Sequence, residues 1–171
     1  RGMLTTLNVH PAQGVRRHEG AYEEVCADLG LDASTGEDVP FNIADRDFVG
    51  SYLSRLHHPL EDEGVDFWWL DWQQGGSTTV PGLDPLWMLN HVHRERPAAD
   101  GGVERRRPVT FSRFADASSH RTPVGFSGDT IISWDSLRFQ PRFTATAANI
   151  GYFWWSNDIG GHMLGGSDDT M

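Results

Sequence analysis

The sequence has one cysteine, few basic residues and no long apolar run. Its single cysteine, Cys26, excludes an internal disulfide and a cysteine-based metal cluster. The 14 lysines and arginines stand against 24 aspartates and glutamates, which gives a net charge of −10. We therefore expect no nucleic-acid partner, because binding a phosphate backbone needs clustered basic residues. The short basic run Arg105-Arg106-Arg107 is interpreted as a solvated loop. No stretch of roughly 18 apolar residues is present, so we expect no membrane-spanning segment.

Aromatic residues are what the chain has in unusual number, with seven tryptophans and nine phenylalanines among 171 residues. Many lie beside Asp, Gln, His or Gly. Planar apolar faces next to hydrogen-bonding groups suit sugar rings, although tryptophan also fills protein cores. The length is sufficient for one domain with a real core, which we place at residues 1–171.

Apolar segments alternate with helical patterns along the chain. A short, buried strand is predicted at residues 4–9. Further strands are predicted at 65–70, 108–112, 123–128 and 150–157. Helices are predicted at residues 19–29, at about 47–61 behind a capping Asp45 or Asp47, after the Asp84-Pro85 pair, and at 134–148. This alternation indicates an α/β fold with a parallel sheet, in which ligands bind at the carboxyl ends of the strands.

Three of the predicted strands are followed by an aspartate: Asp71, Asp129 and Asp158. Because parallel strands end at the same edge of a sheet, we expect these carboxylates to gather on one face. Each has a structural alternative, as a capping or turn residue. Two carboxylates about 5–5.5 Å apart can cleave a glycosidic bond with retention, one as nucleophile and the other as general acid and then base.

Four motifs in order along the chain resemble those of glycoside hydrolase family 31, which contains retaining α-glucosidases and α-xylosidases. The motifs are Trp69-Leu70-Asp71, Ser112-Arg113-Phe114, Gly128-Asp129 followed by Trp134-Asp135, and Asp158-Ile159-Gly160-Gly161. Together they cover most of residues 4–163. The resemblance implies a (β/α)₈ TIM barrel, of which this chain would be an incomplete fragment covering about strands 3 to 7.

The same resemblance implies roles for individual residues. Asp71 would be the nucleophile and Asp129 the acid/base, while Arg113 and Asp158 would hold sugar hydroxyls. The aromatic residues Trp69, Trp72 and Phe126 are further substrate-binding candidates. Arg113 has the alternative of being a structural ion-pair partner of one of the aspartates.

The expected partners are a carbohydrate substrate, the remainder of the parent barrel and its accessory domains, and no cofactor is implied. The predicted activity is hydrolysis of α-glucosides or related sugars through a covalent intermediate, with the isolated fragment inactive. Transfer of the sugar to another sugar, and a non-catalytic carbohydrate-binding role, are the alternatives. The sequence does not indicate a compartment.

The chain departs from the family pattern at several positions. Gln73 and Gln74 follow the nucleophile motif where Asn and Glu are common, Asp116 replaces a usual Gly, Thr130 a usual Asn, and His162 a usual Phe. The Gln73-Gln74 pair, in which an amide replaces the usual carboxylate, is where we expect the substrate preference to depart from that of the family.

The histidine pairs His57-His58 and His91-x-His93 could suggest a metal. Both fall on predicted outer helices without a third ligand at a convincing spacing, so no metal site is expected.

Overall fold

The computed structural model describes residues 2–72, 78–94, 109–113, 119–122, 124–152, 154–158 and 160–165. The strands are β1 (Thr6–Val9), β2 (Phe67–Leu70), β3 (Thr110–Arg113), β4 (Val124–Phe126) and β5 (Trp154–Ser156). The α-helices are α1 (Tyr22–Asp28), α2 (Arg46–Ser51), α3 (His58–Glu63), α4 (Pro85–Arg94) and α5 (Trp134–Ala148). A π-helical segment (Tyr52–His57) joins α2 to α3, and 3₁₀ turns occur at Pro11–Gln13, Ala33–Thr35 and Ser119–Arg121.

The five strands form one parallel sheet in which each strand pairs with the next strand along the chain. Asn8 lies opposite Trp69 in the first pair of strands, and Leu70 lies opposite Ser112 in the second. Sequential parallel pairing with intervening helices is the arrangement of a (β/α)₈ barrel, of which the described residues supply five strands. The α/β class is therefore as the sequence predicts, and each of the five strands overlaps a predicted one. The strand predicted at 150–157 is shorter, because residues 150–151 form a turn, and β3 extends to Arg113.

Side chains of β2 alternate between the two faces of the sheet. Trp68 contacts the helices, where its ring lies 4.4 Å from that of His57 and its Nε1 donates to Glu61 Oε1 at 2.7 Å. Trp69 lies on the other face, with its ring 5.2 Å from Phe111. Because successive strand residues point to opposite faces, Asp71 follows Trp69 onto the face away from the helices.

The main hydrophobic core lies between the sheet and helices α1 to α4. Its buried members are Val15, Tyr22, Val25, Cys26, Val39, Ile43, Phe48, Tyr52, Trp68, Leu70, Leu86 and Leu89. Cys26 is thus a small core residue. This core fixes the helices against one face of the sheet and leaves the other face for the aromatic side chains of β2, β3 and β4.

Helix starts are fixed by local side-chain caps. Asp45 accepts hydrogen bonds from the backbone N–H groups of Asp47 and Phe48, and Asp84 does the same at the start of α4. Ser133 caps α5, which spans the predicted residues and accommodates Pro141 in its interior. These caps satisfy N–H groups that have no partner within the helix.

Two details differ from the sequence predictions. The predicted helix at about 47–61 is divided by the π-helical segment, because Pro59 in α3 has no N–H to donate and its ring excludes a regular turn before it. The first strand was predicted to be buried, but its residues are exposed or half-buried. Among the described residues β1 pairs with β2 alone, so one of its edges has no neighbouring strand. Within the described ranges no helix is long and apolar enough to cross a membrane.

Candidate active site

Asp71 lies at the carboxyl end of β2 and is largely buried. Its backbone N–H donates to the carbonyl of Val9, which extends the β1–β2 ladder by one residue and fixes where the carboxylate projects. The side chain is only 10% exposed. A buried carboxylate requires charged or hydrogen-bonding partners, and the strands on either side of β2 supply them.

Arg113, the last residue of β3, is the principal partner of Asp71. Its Nε donates to Asp71 Oδ1 at 2.7 Å, and its Nη2 lies 2.7 Å from the same oxygen. Nη2 also lies 3.3 Å from Oδ1 of Asp129, but it makes no well-directed hydrogen bond to any described residue. Arg113 therefore bridges two carboxylates and retains donor capacity on the nitrogen between them.

Asp129 follows β4 after a tight turn at Gly128. The turn residue has a φ of 57°, in the left-handed region that favours glycine. The Asp129 side chain is 32% exposed, and its Oδ1 lies 3.9 Å from Nε2 of His162. Asp129 is thus more open to solvent than Asp71, while both contact the same guanidinium.

The separation of the two carboxylates follows from their shared contact with Arg113. Since Nη2 lies 2.7 Å from Oδ1 of Asp71 and 3.3 Å from Oδ1 of Asp129, the two oxygens are no more than about 6 Å apart. Retaining glycosidases place their two carboxyl groups roughly 5–5.5 Å apart, and inverting enzymes place them roughly 6.5–9.5 Å apart. The geometry is compatible with the retaining arrangement.

An aromatic cluster lies on the same face of the sheet, next to the charged groups. The rings of Trp69, Phe111 and Phe126 lie 4.9 to 5.5 Å from one another. The guanidinium carbon of Arg113 lies 5.2 Å from the centre of the Phe126 ring, a cation–π contact. Trp69 and Phe126 therefore lie on the face of the sheet that carries Asp71 and Arg113, and Phe126 is only 5% exposed beneath the guanidinium. Their substrate-binding roles stay predictions.

The hydrogen bonds of Asp158 and the ring contact of Trp72 are made to residues outside the cluster formed by Asp71, Arg113 and Asp129. The Asp158 carboxylate accepts a hydrogen bond from the Thr130 backbone at 3.3 Å, and its own N–H donates to Ser127 Oγ. Asp158 is thus joined to the loop that carries Asp129. The Trp72 ring packs 5.3 Å from Phe41, against the helix-side core. The substrate-binding roles of both residues stay predictions.

Three contacts of the carboxylates were missed at the level of sequence. Asn8 Nδ2 donates to Asp71 Oδ2 at 3.2 Å, and His10 Nε2 lies 3.6 Å from that oxygen. His162 was noted only as a departure from the family pattern, and it lies near Asp129. The strand-end rule that selected the aspartates also selects Asn8 and His10, since both stand at the carboxyl end of β1.

The histidines of the two sequence pairs lie on the helix side of the sheet. The rings of His57 and His93 pack 4.8 Å apart, although they come from different helices. Throughout the described ranges, no group of three or more His, Cys, Asp or Glu residues could hold a metal ion. Gln73, Gln74, Asp116 and the run Arg105-Arg106-Arg107 lie outside the described residues.

The fold and the site together define a class: a parallel α/β domain of the barrel type, with carboxylates and an arginine at the carboxyl ends of its strands. A family model described as the glycosyl hydrolases family 31 TIM-barrel domain matches residues 30–171, and the chain belongs to this family. No curated protein matches the chain. Family membership confirms the resemblance and the barrel fold, and it supports glycoside hydrolase activity and a carbohydrate substrate. The match begins after β1, so Asn8 and His10 lie outside it.

Proposed function

We propose that the protein carrying this chain is a retaining α-glycosidase, with Asp71 as nucleophile and Asp129 as acid/base. The observation that supports this most directly is the Arg113 bridge, which keeps Oδ1 of Asp71 and Oδ1 of Asp129 no more than about 6 Å apart, below the separation of inverting enzymes. Family membership supports the glycosidic bond as the target. The α-glucosidase-like specificity rests on the family resemblance.

The proposed reaction has two displacement steps. An oxygen of Asp71 forms a bond to the anomeric carbon while the bond from that carbon to the leaving oxygen breaks, and Asp129 gives its proton to the leaving oxygen. Asp129 then removes a proton from water, whose oxygen attacks the same carbon and releases the Asp71 carboxylate. The difference in exposure of the two carboxylates, 10% for Asp71 and 32% for Asp129, supports this division, because the more open Asp129 is accessible to both the leaving group and water.

Arg113 is proposed to serve the reaction in two ways. Its Nε and Nη2 both contact Oδ1 of Asp71, and this charged contact holds that oxygen in place before attack. Its Nη2 is buried between the two carboxylates, so it is suited to hold Asp129 beside Asp71, while a contact of Arg113 with sugar hydroxyls is proposed on the family resemblance alone. Trp69 is half-buried beside Phe126, and its ring offers an apolar surface that suits the C–H face of a sugar ring.

The test uses the complete protein that carries this chain, because a TIM barrel closes with eight strands and the described residues supply five. Asp71→Ala is expected to lower kcat/KM on aryl α-glycosides by about 10³-fold or more. Added azide should restore turnover and yield the β-glycosyl azide, since azide then attacks from the side that the carboxylate has vacated. Asp135→Ala is the matched control, because that carboxylate is 94% exposed and pairs only with Arg138 among the described residues.

The outcomes separate the proposed function from its alternatives. Turnover of Asp71→Ala at the wild-type rate without azide would contradict the role of Asp71. A first-formed product of the β configuration would indicate inversion. Formation of new oligosaccharides in place of free sugar would indicate transglycosylation through the same intermediate, and saturable sugar binding without turnover would indicate a binding domain.

A further inference from the structure

The Asp71 carboxylate is contacted by residues from both neighbouring strands, β1 and β3. The proposed function gives a role to the β3 contact, Arg113, and none to the contacts from the β1 side. Arg113 on β3 contacts Oδ1, whereas Asn8 on β1 donates to Oδ2 at 3.2 Å. His10, which follows the last residue of β1, approaches the same Oδ2 with its Nε2 at 3.6 Å. The two carboxylate oxygens therefore have separate partners on opposite sides.

Contacts to only one of its two oxygens do not fix the orientation of a carboxylate. The terminal torsion of an aspartate side chain has a broad energy profile, so a group held at Oδ1 alone can still rotate about that contact. A second donor at Oδ2 fixes the plane of the carboxylate and therefore the direction of the lone pairs that attack the anomeric carbon. The effect on rate can be large, because a misplacement of about 1 Å can cost about 10²-fold.

Asn8 has both the placement and the chemistry for this task. It lies opposite Trp69 in the sheet, and Trp69 precedes Asp71 by two residues on the same face, so the register brings the amide to the carboxylate. The amide is a neutral donor that holds the oxygen without adding a second full charge to the Arg113 pair.

We propose that Asn8 is a positioning residue that fixes the plane of the Asp71 carboxylate for nucleophilic attack, an inference that rests on the proposed function. During that attack, one Asp71 oxygen becomes bonded to the sugar, the leaving oxygen takes the Asp129 proton, and the Asn8 amide neither gains nor loses a proton. The residue therefore acts on the formation of the carbon–oxygen bond, and it does not act on protonation of the leaving group. His10 borders the same oxygen at a greater distance and is half-exposed.

The experiment measures kcat/KM for a series of aryl α-glycosides whose leaving groups differ in acidity, using the complete protein. Asn8→Leu removes the donor while it keeps the branched shape of the side chain, and it should lower kcat by about 10- to 100-fold with little change in KM. The loss should be the same for good and poor leaving groups. Asp129→Ala, in contrast, should lose most activity on poor leaving groups, which need the proton.

Two further substitutions at position 8 separate positioning from simple destabilisation. Asn8→Ser keeps the strand polar but is too short to reach Oδ2, and it should reproduce the loss seen with leucine. Asn8→Asp places a second carboxylate against Asp71 and should lower kcat more than either. Thr6→Val is the matched control, because Thr6 is two residues earlier on the same strand face, lies opposite Phe67, and its hydroxyl has no partner among the described residues.

The results distinguish this inference from the proposed function. An inactive Asp71→Ala together with Asn8→Leu and Asn8→Ser within about twofold of wild type would overturn the positioning role and leave the nucleophile assignment standing. A loss confined to poor leaving groups would also overturn it, since Asn8 would then act on the acid step. A fully active Asp71→Ala would contradict both the nucleophile role of Asp71 and the positioning role of Asn8. A uniform loss, in variants that melt at the same temperature as Thr6→Val, is the expected result.

Discussion

The guanidinium of Arg113 lies against the Cα atom of Gly128, in the space that a Cβ atom would occupy. A Cβ built on Gly128 would overlap Arg113 Nη1, and the φ of 57° at this glycine also disfavours any other residue. The turn before Asp129 is therefore shaped around the arginine that bridges the two carboxylates. The identity of residue 128 and the position of Arg113 are coupled.

Gly128→Ala should for this reason reduce activity more than it reduces stability. The methyl group would displace Arg113 from its contacts with Asp71 and Asp129, and we expect kcat/KM to fall by about 10²-fold. Gly30→Ala is the matched control, because its φ of 67° imposes a similar strain while no atom lies within 4 Å of the added Cβ. Activity that falls equally in both variants would show that backbone strain, and not the arginine, is the cause.

Arg113→Lys should also be strongly impaired, although it preserves the charge. A lysine presents a single compact ammonium group and cannot contact Asp71 through two nitrogens while it reaches Asp129. We expect kcat/KM to fall by about 10²-fold and the aromatic cluster to remain folded. Arg138→Lys, at an exposed pair with Asp135, should leave both activity and melting temperature unchanged. A fully active Arg113→Lys would mean that charge alone is sufficient.

The helices and strands could be predicted because the residues that define them lie within or next to them in the sequence. Apolar runs, the capping residues Asp45 and Asp84, and the terminating Gly64 lie next to the elements that they define. The strand-end rule placed Asp71 and Asp129 on one face, because that rule follows from parallel topology alone.

The contacts that complete the site depend on register and tertiary packing. Asn8 meets Asp71 only because β1 pairs with β2 at a particular register, and the sequence between them does not encode that offset in a readable form. His57 and His93 appeared as members of separate pairs, and they meet because two helices pack on the same strand. The sequence indicates only that Gly128 is a turn residue. The structure shows in addition that Arg113 occupies the space a Cβ atom of residue 128 would need.

A buried amide network connects α4 to β3 and should be important for stability. Asn90 donates from Nδ2 to the carbonyl of Leu86 and to Ser112 Oγ, and its Oδ1 accepts from Thr110 Oγ1. Asn90→Leu would remove this partner from the buried hydroxyl groups of Thr110 and Ser112. Each buried group left unsatisfied lowers the free energy of unfolding by about 1–3 kcal/mol. We expect a lower free energy of unfolding in urea, whereas Asn149→Leu at an exposed position should have little effect.

The triple variant Asn90→Leu, Thr110→Val, Ser112→Ala tests whether the cost comes from unsatisfied groups. Removing all the polar partners should recover part of the lost stability, because no buried hydroxyl of this network then remains. A triple variant less stable than Asn90→Leu by the full sum of the other two substitutions would contradict that explanation.

The buried pair His57 and His93 should make the fold sensitive to acid. Burial lowers the pKa of His57 to about 4, and its hydrogen bond to the Tyr52 carbonyl opposes this only in part. Burial also lowers the pKa of His93 well below its usual value, with smaller contributions from His57 and His58. The Nε2 atoms of both rings have no partner among the described residues, so no contact at Nε2 would stabilise the charged form of either ring.

The sign of the pH effect follows from these lowered pKa values. The unfolded chain binds a proton at His57 near pH 6.5 and the folded chain only near pH 4, so the stabilising contribution is complete above about 6.5 and is lost as the pH falls towards 4. A shift of this size corresponds to roughly 3 kcal/mol for His57 when the loss is complete. Urea unfolding measured between about pH 7 and pH 5 should show this decline. His57→Asn keeps a donor for the Tyr52 carbonyl but does not titrate, so its decline should be shallower. His162→Asn, whose side chain is 63% exposed, should retain the wild-type slope, and an equal slope in all three proteins would contradict the assignment to His57.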